Sequence, residues 1–423
     1  MKAANKTTAV TSADLSTAAN PEPPVSRATD AKPAPRLKSI RPTRPDVPKE
    51  PRMTHPADRL TKEEVEELGR ELDALRAETL AEVGEEDAAH IRAVVRVARG
   101  SAIAGRTLLM FGFTPVSFAA GIAALSAAKI LENMEIGHNV LHGQYDWMND
   151  PDLDSRTYEW DIVCDASQWK HYHNYEHHTY TNVIGKDRDV GYGVVRISDE
   201  QHWRLKHLVQ PVSYATLCLM FQWGVGLHDL DAMRALRPDA DKETFARKWG
   251  EFTRKAGHQL FKDYVFFPLL APWNAPRIFL GNLAANGIRN VWTNVVIFCG
   301  HFPEGTRVYT RDEIENETRG QWYLRQIQGS ANFEGGPWLH VMTGHLSHQI
   351  EHHLFPDVPA WRYPQMAPRV RALCEKYGLD YNTGSFAEQY TSVLAKIVRY
   401  AAPPSWSELA SRLGLGWALP ATA

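Results

Sequence analysis

Eleven of the eighteen histidines fall in two windows, six between positions 138 and 178 and five between 340 and 353. The first window opens with GHNVLHGQYDW, in which His138 and His142 are spaced i, i+4. On a helix that spacing puts both imidazoles on one face a turn apart, where they can converge on a metal. Taken alone, H-x-x-x-H also arises by chance. The next segment, WKHYHNYEHHTYTN, holds His173, His177 and His178 as H-x-x-x-H-H, and GHLSHQIEHHLFPD holds Gln349, His352 and His353 as Q-x-x-H-H. Neighbouring residues of a helix point about 100° apart, so each His-His pair tends to address two centres. His173 and His177 are expected to share a face and leave His178 for a second ion. The chain must then fold so that remote stretches meet around a pair of ions.

Ligand type narrows the metal. Cys164, Cys218, Cys299 and Cys374 lie far apart with no C-x-x-C pair, which argues against a disulfide framework or a thiolate site and fits a reducing compartment. No H-E-x-x-H motif is present. Imidazole suits Zn, Cu, Fe and Ni, and without the usual zinc signatures iron is favoured. Carboxylate di-iron bundles need two Glu-x-x-His motifs, and only Glu135-x-x-His138 stands at a plausible place. A histidine-held iron pair has the oxidising power for an unactivated C–H bond, which no side-chain acid or base has.

Long apolar segments lie between the boxes. Positions 107–128 carry no charge over 22 residues, about the 20 needed to cross a hydrocarbon core, and one span is expected there. Positions 208–227 give 20 more, a second candidate weakened by polar groups. Positions 264–303 form a 40-residue apolar stretch broken by Arg277 and Arg289, with Pro268, Pro272 and Pro276 near its start. It is read as one span plus a re-entrant piece, or as a hairpin. Strand-like alternation is scarce, so the chain reads as all-α, and helices beside a metal centre imply an apolar, lipid-derived substrate. The 47 Lys+Arg against 50 Asp+Glu, a formal charge of -3, exclude a general polyanion binder, so no nucleic-acid partner is expected.

The termini differ in character. Residues 1–57 are Pro-rich and nearly free of aliphatic periodicity, and a disordered arm is expected. Met1 is not followed by the basic segment, apolar run and small-residue cleavage site of a secretory signal, so export is not expected. Thr54-His55-Pro56-Ala57 lacks the glycines of a haem-binding HPGG loop, so a fused cytochrome b5 is not expected. Over 58–88 an acidic amphipathic helix is predicted, with Thr61-x-x-Glu64 as a capping box and Leu60, Leu68, Leu72, Leu75 and Val83 at helical spacing. Residues 402–423 are read as a tail.

HNVLH, HNYEHH and QIEHH, in this order with apolar segments between, resemble the three histidine boxes of the integral-membrane fatty-acid desaturase family, a likeness covering 89–401. ENMEIGHNVLHGQYDWMNDP, DRDVGYG, FKDYVFFP, IRNVWTNVVIFCGHFPEG and GQWYLRQIQGSANF look like its bacterial acyl-CoA delta-9 members of the mycobacterial type. The resemblance implies a multi-span membrane protein with four transmembrane helices in two hairpins under a helical cytoplasmic cap. The cap would carry a di-iron site facing the cytoplasm of a bacterial cell. It implies His138, His142, His173, His177, His178, His301, His352 and His353 as ligands of two iron ions. Gln349 stands where animal members have a histidine, so Gln349, His348 or a water completes that shell. Asp146 and Asn174 are candidates to orient imidazoles, or helix caps, and His171 and His345 are read as outside the ligand pattern. The implied reaction uses O2 and two electrons from a separate ferredoxin or flavin reductase to desaturate a long-chain acyl group. A membrane alkane or lipid hydroxylase is the nearest rival, and a non-catalytic zinc-binding membrane protein the one from another class.

Overall fold

The computed structural model describes residues 56–230 and 241–404. The arm expected over 1–57, except its last two residues, and the tail beyond 404 lie outside the described residues.

Helix α1, Lys62–Ala81, starts where the sequence places it. The Thr61 hydroxyl accepts from the Glu64 amide at 3.2 Å and the Glu64 carboxylate accepts from the Thr61 amide at 2.8 Å, so two otherwise orphaned donors are satisfied. Leu68, Leu72 and Leu75 are buried. The predicted single helix over 58–88 divides, because Asp87 accepts from the Gly84 amide at 2.8 Å and begins a second helix, α2, Glu85–Phe111. Asp87 also accepts from Arg362 at 2.6 Å and from the Trp361 indole at 2.7 Å.

The uncharged run at 107–128 is not one helix. Pro115 has no amide hydrogen and disfavours helical geometry in the residue before it, and Thr114 is extended (φ -97°, ψ 156°), its hydroxyl capping Ser117. The chain reverses there into α3, Pro115–Leu141, which winds through a π turn at Glu132–His138. Gly105 lets α2 and α3 close, since a Cβ there would fall 2.7 Å from the Leu125 nitrogen. Among the described residues, Pro115–Leu141 is the one helix long and apolar enough to cross a membrane.

The second box lies on α4, Ala166–Lys170, and the π turn His171–His177 that extends it. The candidate span at 208–227 is also broken. It forms α5, Gln210–Leu219, and α6, Phe221–Asp229, meeting at Met220, and helices of 10 and 9 residues reach only about 15 Å each. The long stretch at 264–303 takes the hairpin form. Helix α7, Lys242–Phe261, continues through a π turn, Lys262–Phe266, and a short turn, Phe267–Leu270; the chain reverses near Pro272, and α8, Ala275–His301, runs back. The tips of the two hairpins are tied: the Trp273 indole and the Asn274 amide each donate to the Met110 carbonyl at 3.0 Å, and Arg277 donates to the Thr114 carbonyl at 2.9 Å. Both tips are apolar and exposed, Phe113 at 69%, Val116 at 78% and Leu269 at 67%.

Further along come α9 (Arg319–Gln328), α10 (Gln349–Leu354), α11 (Tyr363–Lys376) and α12 (Phe386–Arg399), with a six-residue helix, Pro337–Met342, between α9 and α10. A parallel pair of short strands, β1 (Asn332–Glu334) and β2 (Thr383–Ser385), aligns Asn332 with Thr383. Leu68, Leu72 and Leu75 of α1 share one core with Tyr323 and Ile327 of α9, Ile350 of α10 and Tyr363 and Met366 of α11. The acidic helix is thus packed against the elements that carry the third box. Its approach to α9 needs glycine: a Cβ on Gly320 would sit 2.8 Å from the Val65 carbonyl carbon. Gly320→Val is expected to destabilise the fold by about 1–3 kcal/mol through overpacking, read as a lowered thermal midpoint; an unchanged midpoint would refute the close packing.

Candidate metal centre

Four elements deliver the imidazoles. The end of α3 presents His138 and, one residue past it, His142; the π turn after α4 presents His173 and His177, with His178 opening the short turn that follows; α8 ends on His301, and α10 carries His352 and His353. Their rings form one continuous cluster: His138 and His352 have centroids 4.8 Å apart, His142 and His178 4.8 Å, His178 and His353 4.4 Å, and His301 and His353 4.8 Å. Donor atoms of His138, His142, His173 and His352 lie within 4.8 Å of one another, as do those of His177, His301 and His353. His178 groups with His352 and His353, between the two sets. His173 and His177 share a face as expected, their rings stacked with centroids 5.0 Å apart and their donor atoms grouped with Asp189, while each also joins a different all-histidine set. The chain is π-wound over His171–His177, so the 100° step of an α-helix does not apply there. π turns recur at functional sites for this reason, since one extra residue re-aims the side chains that follow.

The donor set fits cations. His142 Nε2, both nitrogens of His178, His301 Nδ1, His352 Nε2 and the Gln349 oxygen are buried without a hydrogen-bond partner. Each such atom costs about 1–3 kcal/mol unless something satisfies it. Ring nitrogens also face one another, His138 and His173 at 3.4 Å and His353 and His301 at 3.3 Å, the arrangement a shared ion relieves. Burial first, and then mutual repulsion, hold His173, His178, His352 and His353 well below the ordinary histidine pKa, leaving them in the neutral form that ligates. No cysteine joins the metal-capable groups among the described residues.

Several supporting residues escape sequence reasoning. Asp187 accepts from His177 Nδ1 at 3.1 Å and from the Asn182 amide at 2.8 Å. Burial opposes a charged His177, yet the Asp187 and Asp189 carboxylates outweigh it and raise its pKa. Gln326 Oε1 and Thr181 Oγ1 lie 3.1 and 3.2 Å from His353 Nδ1, and the Tyr363 hydroxyl lies 3.4 Å from His352 Nδ1. Such partners fix which nitrogen faces the metal. Asp189 itself lies within ligand distance of His173 and His177. The one signal for Asp187 and Asp189 in the sequence is DRDVGYG, which sets two acids just after the second box.

Other candidates fall elsewhere. Asp146 accepts from the Ser155 amide and hydroxyl, both at 2.7 Å, and orients a loop rather than an imidazole. Asn174 donates to the Leu141 carbonyl at 2.8 Å, which ties the first box to the second without touching a ring. The His348 ring lies tilted against that of His340 with centroids 4.8 Å apart, outside the cluster, whereas the Gln349 amide nitrogen is 3.1 Å from His301 Nε2. Glu135 is held by His90 and His345, both at 2.9 Å, and joins none of the metal-capable groups among the described residues. His171 is exposed.

A cavity runs up to this cluster. Met134, Trp160, Ile162, Val225, Ile297 and Leu346 give it apolar walls, and His138, His173, His177 and His301 close one end. An apolar slot ending on buried imidazoles that fit metal defines an oxidative lipid-modifying site, and the sequence comparisons agree. Residues 113–385 match the fatty acid desaturase family, and the chain belongs to that family. It is 45% identical over 351 residues, 82% of each chain, to the NADPH-dependent stearoyl-CoA 9-desaturase of Mycobacterium tuberculosis. It is 27% identical to the sn-1 linoleoyl-lipid 6-desaturase of Synechocystis, over 64% of this chain and 77% of that one. With human fatty acid desaturase 3 it shares 25% identity, over 69% and 62%. The protein is an oxidoreductase that desaturates fatty acyl chains.

Proposed function

We propose that the chain is an O2-dependent, membrane-embedded di-iron desaturase that places a cis double bond at the delta-9 position of a saturated acyl-CoA. The observation that carries this reading is the meeting of eight buried or half-buried histidines from four elements at the end of an apolar cavity. His138, His142, His173 and His352 would hold one iron and His177, His301 and His353 the other, with His178 between them and Gln349 beside His301. When bound, an iron pair would supply the oxidising power by which O2 leaves as two waters, taking two hydrogens from neighbouring methylenes, two electrons from an external donor and two protons from solvent. The protein's own part is positioning. A polymethylene chain has no chemical handle for choosing a position, so the walls Trp160, Ile162 and Ile297 must set which carbons lie at the imidazoles. Those walls also exclude water from the reacting carbons.

The acyl-CoA and delta-9 assignments follow the likeness to the mycobacterial enzyme, whose name also carries NADPH dependence. A ferredoxin or flavin reductase is the proposed donor linking NADPH to the site. The two helical hairpins are the proposed four membrane spans, supported by the apolar exposed tips and by Pro115–Leu141. The histidine end would face the cytoplasm of a bacterial cell. Residues 89–401 form the proposed catalytic unit, with 58–88 as a packed helical extension, 1–57 as an arm and 402–423 as a tail.

Expression in a desaturase-deficient host, followed by mass spectrometric mapping of double bonds, is expected to show monounsaturated chains with the bond at the ninth carbon. Hydroxylated chains without alkene would instead assign the hydroxylase reading.

A further inference from the structure

Arg289 interrupts the longest apolar stretch of the sequence, and the fold buries it to 1% exposure. Its Nε donates to Asn290 at 3.1 Å and its Nη2 to Asn286 at 3.4 Å, while Nη1 is buried with no hydrogen-bond partner. None of the described carboxylates comes within ion-pair distance of it; Asp161 and Asp263 act on its charge only from farther off. Asp263 is occupied by Lys129 at 2.8 Å and Arg106 at 3.5 Å, and Asp161 by Lys262 and by Gln259 at 2.7 Å. A guanidinium keeps its charge inside a protein, and an ionisable group at membrane depth that faces a cavity is retained for what it binds there more often than for stability.

The cavity is the one that ends on the histidines. Arg289 and Asn290 line it together with Thr293, Ile297 and His301 of the same helix. Positions 289, 293, 297 and 301 recur every fourth residue, along one face of α8. Twelve residues at 1.5 Å each set Arg289 about 18 Å from His301. The slot therefore has imidazoles at one end, apolar walls between, and an unpaired cation at the other.

We infer that the Arg289 end is a carboxylate site, taking the terminal carboxylate of a long-chain aliphatic acid whose hydrocarbon lies along α8 towards the histidines. One unpaired cation is balanced by one carboxylate, whose two oxygens match the planar guanidinium fork. The apolar walls select an aliphatic tail over a free inorganic ion. The carboxylate has two sources: a free fatty acid, or the far end of a dicarboxylic acyl chain. The inference rests on reading this slot as the acyl cavity, but its test is binding, so a protein that fails to desaturate can still bear it out.

The test is calorimetric titration of the purified full-length protein in detergent with stearate, octadecanol, stearoyl-CoA and the mono-CoA ester of octadecanedioic acid. Stearate is expected to bind at least about 10-fold more tightly than octadecanol. Arg289→Met should remove that preference, and Arg289→Lys should keep part of it. A matching preference for the dicarboxylic ester over stearoyl-CoA would place the carboxylate on the acyl chain's far end; a preference seen with stearate alone would assign the free acid. The inference is overturned if octadecanol binds wild-type protein as tightly as stearate, a comparison that stands even if Arg289→Met does not fold. It is equally overturned if that variant folds and binds stearate like the wild type.

Discussion

Replacing His352 with alanine is expected to abolish desaturation, by at least about 100-fold, the upper range for loss of a residue that merely supports a ligand. His352 is fully buried and belongs to two of the metal-capable groups, one with His138, His142 and His173 and one with His178 and His353. Its ring lies 4.8 Å from those of both His138 and His142 and 4.9 Å from that of His178, so its removal empties the centre of the cluster. The surroundings keep their own bonds: Tyr363 still donates to the Phe355 carbonyl at 3.1 Å and receives from Gln144 at 3.2 Å. Folded protein should therefore be recovered, with circular dichroism unchanged and iron per chain reduced. His171→Ala, at an exposed ring stacked only on Tyr175, should leave both activity and iron near wild type. Full turnover by His352→Ala, or a full iron content, would remove this residue from the centre.

What the sequence makes legible is local. The i, i+4 spacing of His138 and His142 and the Thr61 capping box depend on residues a turn apart, and both appear in the structure as helix features. Counting uncharged residues misjudges 107–128 because charge says nothing about the backbone: Thr114 and Pro115 reverse the chain in the middle of the run. The same count misjudges 208–227, where Met220 separates two short helices. Non-local partners are invisible for another reason. Thr181 and Gln326 meet at His353 from positions 172 and 27 residues away, and no periodicity links them. His301 is legible only through the likeness of its surrounding string, CGHFPEG, to a known family. The π winding of the second box is a distortion that composition does not announce.

Asp187 offers the strongest test of how His177 is held. It lies ten residues beyond His177, is fully enclosed, and accepts from His177 Nδ1, from the Asn182 and Asp189 amides at 2.8 and 2.9 Å, and from the Tyr172 hydroxyl at 3.4 Å. These bonds fix the imidazole so that Nε2 is the nitrogen turned towards His301, whose ring is 4.9 Å away. They also hold the carboxyl pKa low against the cost of burial, chiefly through His177. Asp187→Ala removes the acceptor and leaves Nδ1 free to turn, and a loss of about 10–100-fold in kcat and in affinity for the metal is expected. Asp187→Asn keeps an oxygen at the same place without its charge, so its loss should be smaller than that of the alanine variant. Since Asp187 does not line the cavity, KM for the acyl substrate should stay close to wild type in both. A rise in KM with kcat unchanged would show that this carboxylate serves substrate binding; equal losses for alanine and asparagine would show that its charge, and not its position as an acceptor, is what His177 requires.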